Sequence, residues 1–249
     1  MRTRTMPFVV AISLLLLPTA WAHQPTISDG SAVDAEHAIE FADVQVSRVA
    51  YHEVTAEAAQ LWITFQIDQP QQLKLQLGVP LIERLAEFRP ALALLGPGLP
   101  TVDLPFETPE GLGGRVFRSE NVTEPQVFDE PFTGTSSWIV VEETVELPAA
   151  GRYYVVAYVP SGETGKLWTA LGELEVFDLD DIAELAEVVA QVRAFHEVPE
   201  GAAPPCFLLP LGVALTALPL WRLRQRSFRW YGGCRGQTQL GRADQAPPA

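Results

Sequence analysis

From Gln60 onward the chain is a succession of short apolar runs cut apart by proline and glycine, a rhythm that suits sheet strands better than long helices. Leu61-Trp62-Ile63-Thr64-Phe65-Gln66-Ile67 is rich in β-branched and aromatic residues. Leu73-Lys74-Leu75-Gln76-Leu77 alternates strictly, as a strand with one buried face must. Asp68-Gln69-Pro70-Gln71 supplies the turn between them. Further runs lie at Ala91 to Leu95, closed by Gly96-Pro97-Gly98, at Trp138 to Val145, at Gly151 to Val159 and at Lys166 to Phe177. This spacing predicts a mainly β fold, an antiparallel β-sandwich of jelly-roll or Ig-like type.

Two segments depart from the rule. Ile82 to Phe88 reads as one helical turn at a sheet edge. Residues 180–197 read as an amphipathic helix, because Ile182, Leu185, Val189, Val192 and Phe195 recur at helical spacing. The stretch Pro97 to Thr135 is the least regular, and long irregular segments are where binding functions concentrate.

The two ends constrain location. Arg2 and Arg4, the apolar run Phe8 to Leu17 and Ala20-Trp21-Ala22 have the layout of a signal peptide, residues 1–22. A mobile leader is expected over 23–37, the sandwich over 38–179, the helix over 180–197 and a linker over 198–205. Cys206 to Trp221 is an apolar run read as a single transmembrane helix, followed by a basic, disordered tail over 222–249. From His23 to Ala203 there are 30 acidic residues against 9 basic ones, whereas six arginines and one aspartate follow Trp221. That asymmetry predicts a single-pass protein of the cytoplasmic (inner) membrane with a cytoplasmic C-terminus and the acidic body outside. A sorting tail removed after export is the other reading of the same segment. So acidic a body repels nucleic acid, which is excluded as a partner. Both cysteines, Cys206 and Cys234, fall outside the predicted sandwich, so it is expected to fold without a disulfide.

The chemistry-bearing residues are sparse. No G-x-S-x-G, H-E-x-x-H or phosphate-cradling glycine pattern occurs, and Gly111-Leu112-Gly113-Gly114 lacks the Lys-Ser/Thr that would follow in a P-loop. Cleavage after Ala22 would leave His23 with a free α-amine and an imidazole, a nitrogen pair suited to Cu(II), with His37, His52 or His196 as a third donor. His52, flanked by Tyr51 and Glu53, fits a structural role as well. His196 reads as a surface residue complementing the helix dipole. Glu142 and Glu143 are adjacent on a strand and point to opposite faces, so they do not form a catalytic pair. Trp62, Trp138, Tyr153, Tyr154, Tyr158 and Trp168 lie on predicted strands, either as core or as an exposed aromatic strip. Tyr153 and Tyr154 must face opposite ways, and the C-terminal helix is the expected cover for the outer one.

Gln60 to Leu77, Arg89 to Pro97, Leu147 to Val156 and Gly165 to Leu171 together resemble the strands of bacterial pre-peptidase C-terminal domains. The chain departs from that pattern at Ala91 and Ala93, where an acidic residue is usual, and in a long insertion and an added helix. The resemblance implies a non-catalytic accessory module. The expected function is thus a membrane-anchored extracytoplasmic module that binds a protein or carbohydrate, without a cofactor. The competing expectation is a periplasmic Cu(II)-binding protein built on His23.

Overall fold

A computed structural model describes residues 24–174 and 181–199. Two units are delimited, Met1–Pro205 and Cys206–Ala249. The signal segment, His23 and the apolar run Cys206 to Trp221 lie outside the described residues, within which no helix is long and apolar enough to cross a membrane.

The described fold is mainly β, with eleven strands and one long helix. The strands are β1 (Gln24–Ile27), β2 (Ile39–Glu40), β3 (Arg48–Val54), β4 (Gln60–Ile67), β5 (Gln71–Pro80) and β6 (Ala91–Gly96). They continue with β7 (Gly113–Arg118), β8 (Gln126–Glu130), β9 (Thr135–Leu147), β10 (Gly151–Tyr158) and β11 (Gly165–Leu171), and the helix is α1 (Asp181–Phe195). A six-stranded sheet has the order β1-β3-β11-β5-β9-β8, and a five-stranded sheet the order β2-β4-β10-β6-β7. The turn expected near Ile82 is a 3-10 turn at Glu83–Leu85.

The sheets are mixed, which corrects the expectation of purely antiparallel pairing. β1 runs parallel to β3, and β2 runs parallel to β4. The first four strands alternate between the sheets, so each of these pairs is joined through a strand of the opposite sheet. A connection of that kind returns the chain in its original direction, and parallel pairing follows. The segment read as a mobile leader contributes β1, with Gln24 opposite Arg48 and Ile27 opposite Tyr51.

One core lies between the sheets. Leu73, Leu75 and Leu77 of β5 meet Leu61, Ile63 and Phe65 of β4 and Val155 of β10 in one buried cluster. Fully burying each such side chain stabilises the fold by about 1.5–3 kcal/mol. Tyr153 belongs to this core: its ring stacks on Phe65 at 5.7 Å, and its hydroxyl donates to the Ala149 carbonyl at 2.8 Å. A Cβ on Gly96 would overlap the Tyr153 ring, so the glycine closing β6 is a packing requirement.

Each outer face carries a roof over its apolar part. Val192 and Phe195 of α1 lie on Val49, Tyr51, Ile139, Trp168 and Ala170 of the six-stranded sheet. The other sheet is covered by the extended segment 99–112, whose Val102, Leu104 and Phe106 settle over Trp62, Ala91, Ala93 and Tyr158. Tyr154 therefore lies under this strap, not under the helix as expected. The glycines of Gly111-Leu112-Gly113-Gly114 find their reason here. Gly111 turns the chain at φ +78, and any Cβ on Gly113 would overlap the backbone of Leu99 and Pro100.

One buried group is unbalanced. Thr169 is fully buried on β11 and its hydroxyl has no hydrogen-bond partner. An unpaired buried hydroxyl costs about 1–3 kcal/mol, and an apolar group of the same shape removes that penalty. Thr169→Val is expected to stabilise the body by about 1 kcal/mol. An unchanged or lower urea midpoint would show that the hydroxyl is satisfied in solution.

Candidate functional site

The residues expected to hold a metal are dispersed in role. His37 is exposed, and its Nδ1 lies 2.8 Å from Asp34 Oδ1, a bond that raises its pKa. His52 shares the core-facing side of β3 with Ala50 and Val54 and is 1 % exposed. Its Nε2 donates to the Ala58 carbonyl at 3.0 Å, leaving Nδ1 to accept from Ser28 Oγ at 3.3 Å. Burial holds the His52 imidazole below its usual pKa. His23 is outside the described residues, and within them no group of three or more His, Cys, Asp or Glu is placed to hold a metal ion.

The acidic strip on β9 is cross-linked to its neighbour. Gln76 Nε2 donates to Glu142 at 3.0 Å, Gln72 Nε2 donates to Glu146 at 2.6 Å, and Lys74 Nζ reaches Glu142 at 3.2 Å and Glu173 at 3.4 Å. These are solvent-facing cross-strand pairs of the kind that reinforces a sheet register. Nor do the strand aromatics form an exposed strip: Trp62, Tyr153, Tyr158 and Trp168 are buried, and Trp138 and Tyr154 half-buried.

The densest assembly of polar side chains lies where α1 ends on the six-stranded sheet. The helix stops with Glu197 in the left-handed region at φ +57. Glu197 N–H donates to the Ala194 carbonyl at 3.0 Å, and Val198 N–H to that of Arg193 at 3.0 Å, the bond pair of a Schellman ending. Glycine usually takes this position, and a carboxylate here answers to two cations. Lys166 Nζ on β11 reaches Glu197 Oε1 at 2.9 Å, and Arg84 grips both oxygens at 2.5 and 3.1 Å. Bonds from Lys166 and then Arg84 hold the Glu197 carboxyl below the usual carboxylate range. The same Lys166 donates to the Phe195 carbonyl at 3.0 Å and lies 5.3 Å from the Phe195 ring centroid.

One residue back, His196 is buried, contrary to the surface position expected from sequence. Its Nδ1 faces the Val192 carbonyl at 2.9 Å, and a carbonyl only accepts, so Nδ1 carries the proton. Nε2 then accepts from Ser137 Oγ at 3.1 Å, and Ser137 in turn accepts the Trp168 indole N–H at 2.9 Å. Burial first, and the nearby Lys166 charge, keep the His196 imidazole below its usual pKa. No motif announced this group, because its members come from the 3-10 turn, β9, β11 and the helix end. The visible signals were an inward-fitting Lys166 beside Trp168 and an acid at the helix stop.

β8 borders this region. Phe128, opposite Ser137 in the β8–β9 register, packs against the cluster beneath α1, and Arg193 donates to the Thr133 carbonyl at 2.6 Å. β8 is the last strand of its sheet, and Gln126, Val127 and Asp129 are exposed, Val127 to 50 %. The stretch Pro97 to Thr135, read as irregular, thus holds both a packed strap and two edge strands, β7 and β8.

No protein-family model and no curated protein matches the chain. Among solved structures it is similar to the pre-peptidase C-terminal domain of a collagenase from Bacillus anthracis, with 8 % identity, 54 % of this chain and 93 % of that one covered, and a TM-score of 0.29. It is also similar to PliG of Aeromonas hydrophila, a periplasmic inhibitor of g-type lysozyme, with 14 % identity, coverage of 61 % and 98 %, and a TM-score of 0.31. A pre-peptidase C-terminal domain, the type whose strands the four sequence stretches resemble, is thus among the similar solved structures. At these scores the similarity says nothing of ligand or activity, and the sandwich stands on its own strand order and shared core.

Proposed function

We propose that this chain is a membrane-tethered, extracytoplasmic binding module that takes up an extended segment of a partner protein along β8. The observation that carries the reading is the β8 edge itself, a terminal strand with mostly exposed residues and a half-exposed valine at Val127. Free sheet edges accept an added strand through main-chain hydrogen bonds, while alternate side chains set specificity. The apolar parts of both outer faces are covered by α1 and the strap, which leaves the edges and the polar β5–β9 strip as the accessible contact surfaces. Tethering and export are supported by the signal-like residues 1–22, the apolar run Cys206 to Trp221 and the arginines beyond it.

A photo-crosslinking residue placed at position 127 of the full chain in cells tests the reading. It is expected to give a discrete protein adduct, while the same residue at Glu40, on the edge of the other sheet, does not. Identical adducts at both positions, or none at 127, would remove β8 as the contact surface.

A further inference from the structure

We propose that helix α1 is an acid-released latch: a proton taken up by His196 frees the helix end from the six-stranded sheet and uncovers Tyr51, Ile139 and Trp168. The inference is independent of what β8 binds.

The geometry makes the latch sensitive to one proton. His196 is the hinge point of a chain of bonds running from the Trp168 indole through Ser137 and the imidazole to the Val192 carbonyl. Each donor in it has one acceptor in the neutral state: the indole N–H on Ser137, the Ser137 hydroxyl on Nε2 and Nδ1–H on the Val192 carbonyl. A second ring proton would lie on Nε2, facing a Ser137 oxygen that already receives the Trp168 N–H. The bond from Ser137 to the ring would have to reverse, and the new charge would be shut away from water. The ring is also wedged edge-on between Tyr51 and Phe195, with centroids 5.8 Å from each.

Charged groups around the imidazole do not compensate. Lys166 on β11 supplies a positive charge beside it. The Glu197 carboxylate is engaged by both Lys166 and Arg84, so these three groups together carry one net positive charge. Arg193 on α1 adds another cation, directed at the Thr133 carbonyl. Glu130 on β8 acts on the buried Tyr51 hydroxyl.

The direction with pH follows from linkage. A released imidazole takes its proton near the ordinary value of about 6.5, and the docked one only at lower pH. In the window below about 6.5 the released state binds more protons, so docking weakens as pH falls, by up to ~10-fold per pH unit. Above that window docking no longer depends on this proton. His52 has the same sign and weakens the sandwich as a whole, so the readout must separate the helix from the strands.

Amide hydrogen exchange of the full chain at about pH 7.5 and about pH 5, normalised for intrinsic rates, makes that separation. Peptides covering residues 188–198 are expected to exchange about 10-fold faster at the lower pH, while β4 and β10 hold their protection. In His196→Asn, whose amide can still donate to the Val192 carbonyl, the helix is expected to stay docked with less than about a 2-fold pH dependence. If that variant undocks at both pH values, the wild-type imidazole titration by NMR decides: its midpoint must coincide with loss of helix protection. Equal helix protection at both pH values, an unchanged pH dependence in a docked His196→Asn, or midpoints that differ would each overturn the latch.

Discussion

Tyr153→Ala is expected to lower the unfolding free energy by about 3–5 kcal/mol, the range for deleting a buried aromatic side chain. Tyr153→Phe should lower it by only about 1 kcal/mol. The ring is fully buried, stacked on Phe65 and seated in the space that Gly96 leaves open. Truncation opens a cavity in the centre of the five-stranded sheet, where β10 is hydrogen-bonded on both sides and cannot collapse inward. The hydroxyl has a separate task. It donates to Ala149 O at 2.8 Å, lies 3.1 Å from Pro97 O and accepts from Ala149 N–H at 3.3 Å, which ties the turn before β10 to the turn after β6. Urea unfolding of the two variants separates ring from hydroxyl. Equal losses would mean that the hydroxyl, not the packing, governs this corner.

Gly78→Ala is expected to cost about 1–3 kcal/mol through overpacking, although the added group is a single methyl. A Cβ at this position would overlap the Trp168 indole. The indole cannot slide away freely, because its N–H is fixed on Ser137 and its other side carries Val192 and Phe195. The strain therefore passes to the docking of α1, not to the core between the sheets. Shrinking the indole should relieve the clash, so Gly78→Ala and Trp168→Leu are expected to couple by about 0.5–3 kcal/mol, the double variant losing less than the sum. Strict additivity in urea titrations of the four proteins would show that Trp168 does not lie over Gly78.

The strongest periodicities in the sequence became the strands they suggested. Leu73 to Leu77 lies within β5, Leu61 to Ile67 within β4, and Gly151 to Val159 overlaps β10, since alternation or β-branched content over such a length leaves few alternatives. The repeat of Val189, Val192 and Phe195 likewise placed the buried face of α1. What it could not convey was the surface that receives the helix. Tyr154 and Trp168 are both aromatic strand residues, and only the strand order reveals that one meets the strap and the other the helix. β1, β2, β7 and β8 escaped because edge strands are short and polar, with one side free of partners. The polar cluster at the helix end was least visible: Arg84, Ser137, Lys166 and His196 span more than a hundred residues, and no local pattern links them.

The strand order also has a kinetic side. β3 and β5 touch only through β11, and β4 and β6 only through β10, so each sheet is bridged by one of the last two strands in the sequence. A polypeptide released up to Ala150 holds most of the apolar sequence of the fold but four half-sheets with open edges. The stretch from Gly151 to Leu171 supplies the strand that joins the halves of each sheet, with partners some ninety residues or more away in sequence for β3 and β4. Assembly of this body is thus dominated by distant pairings, which slow it, and neither sheet is continuous until its late strand is in place.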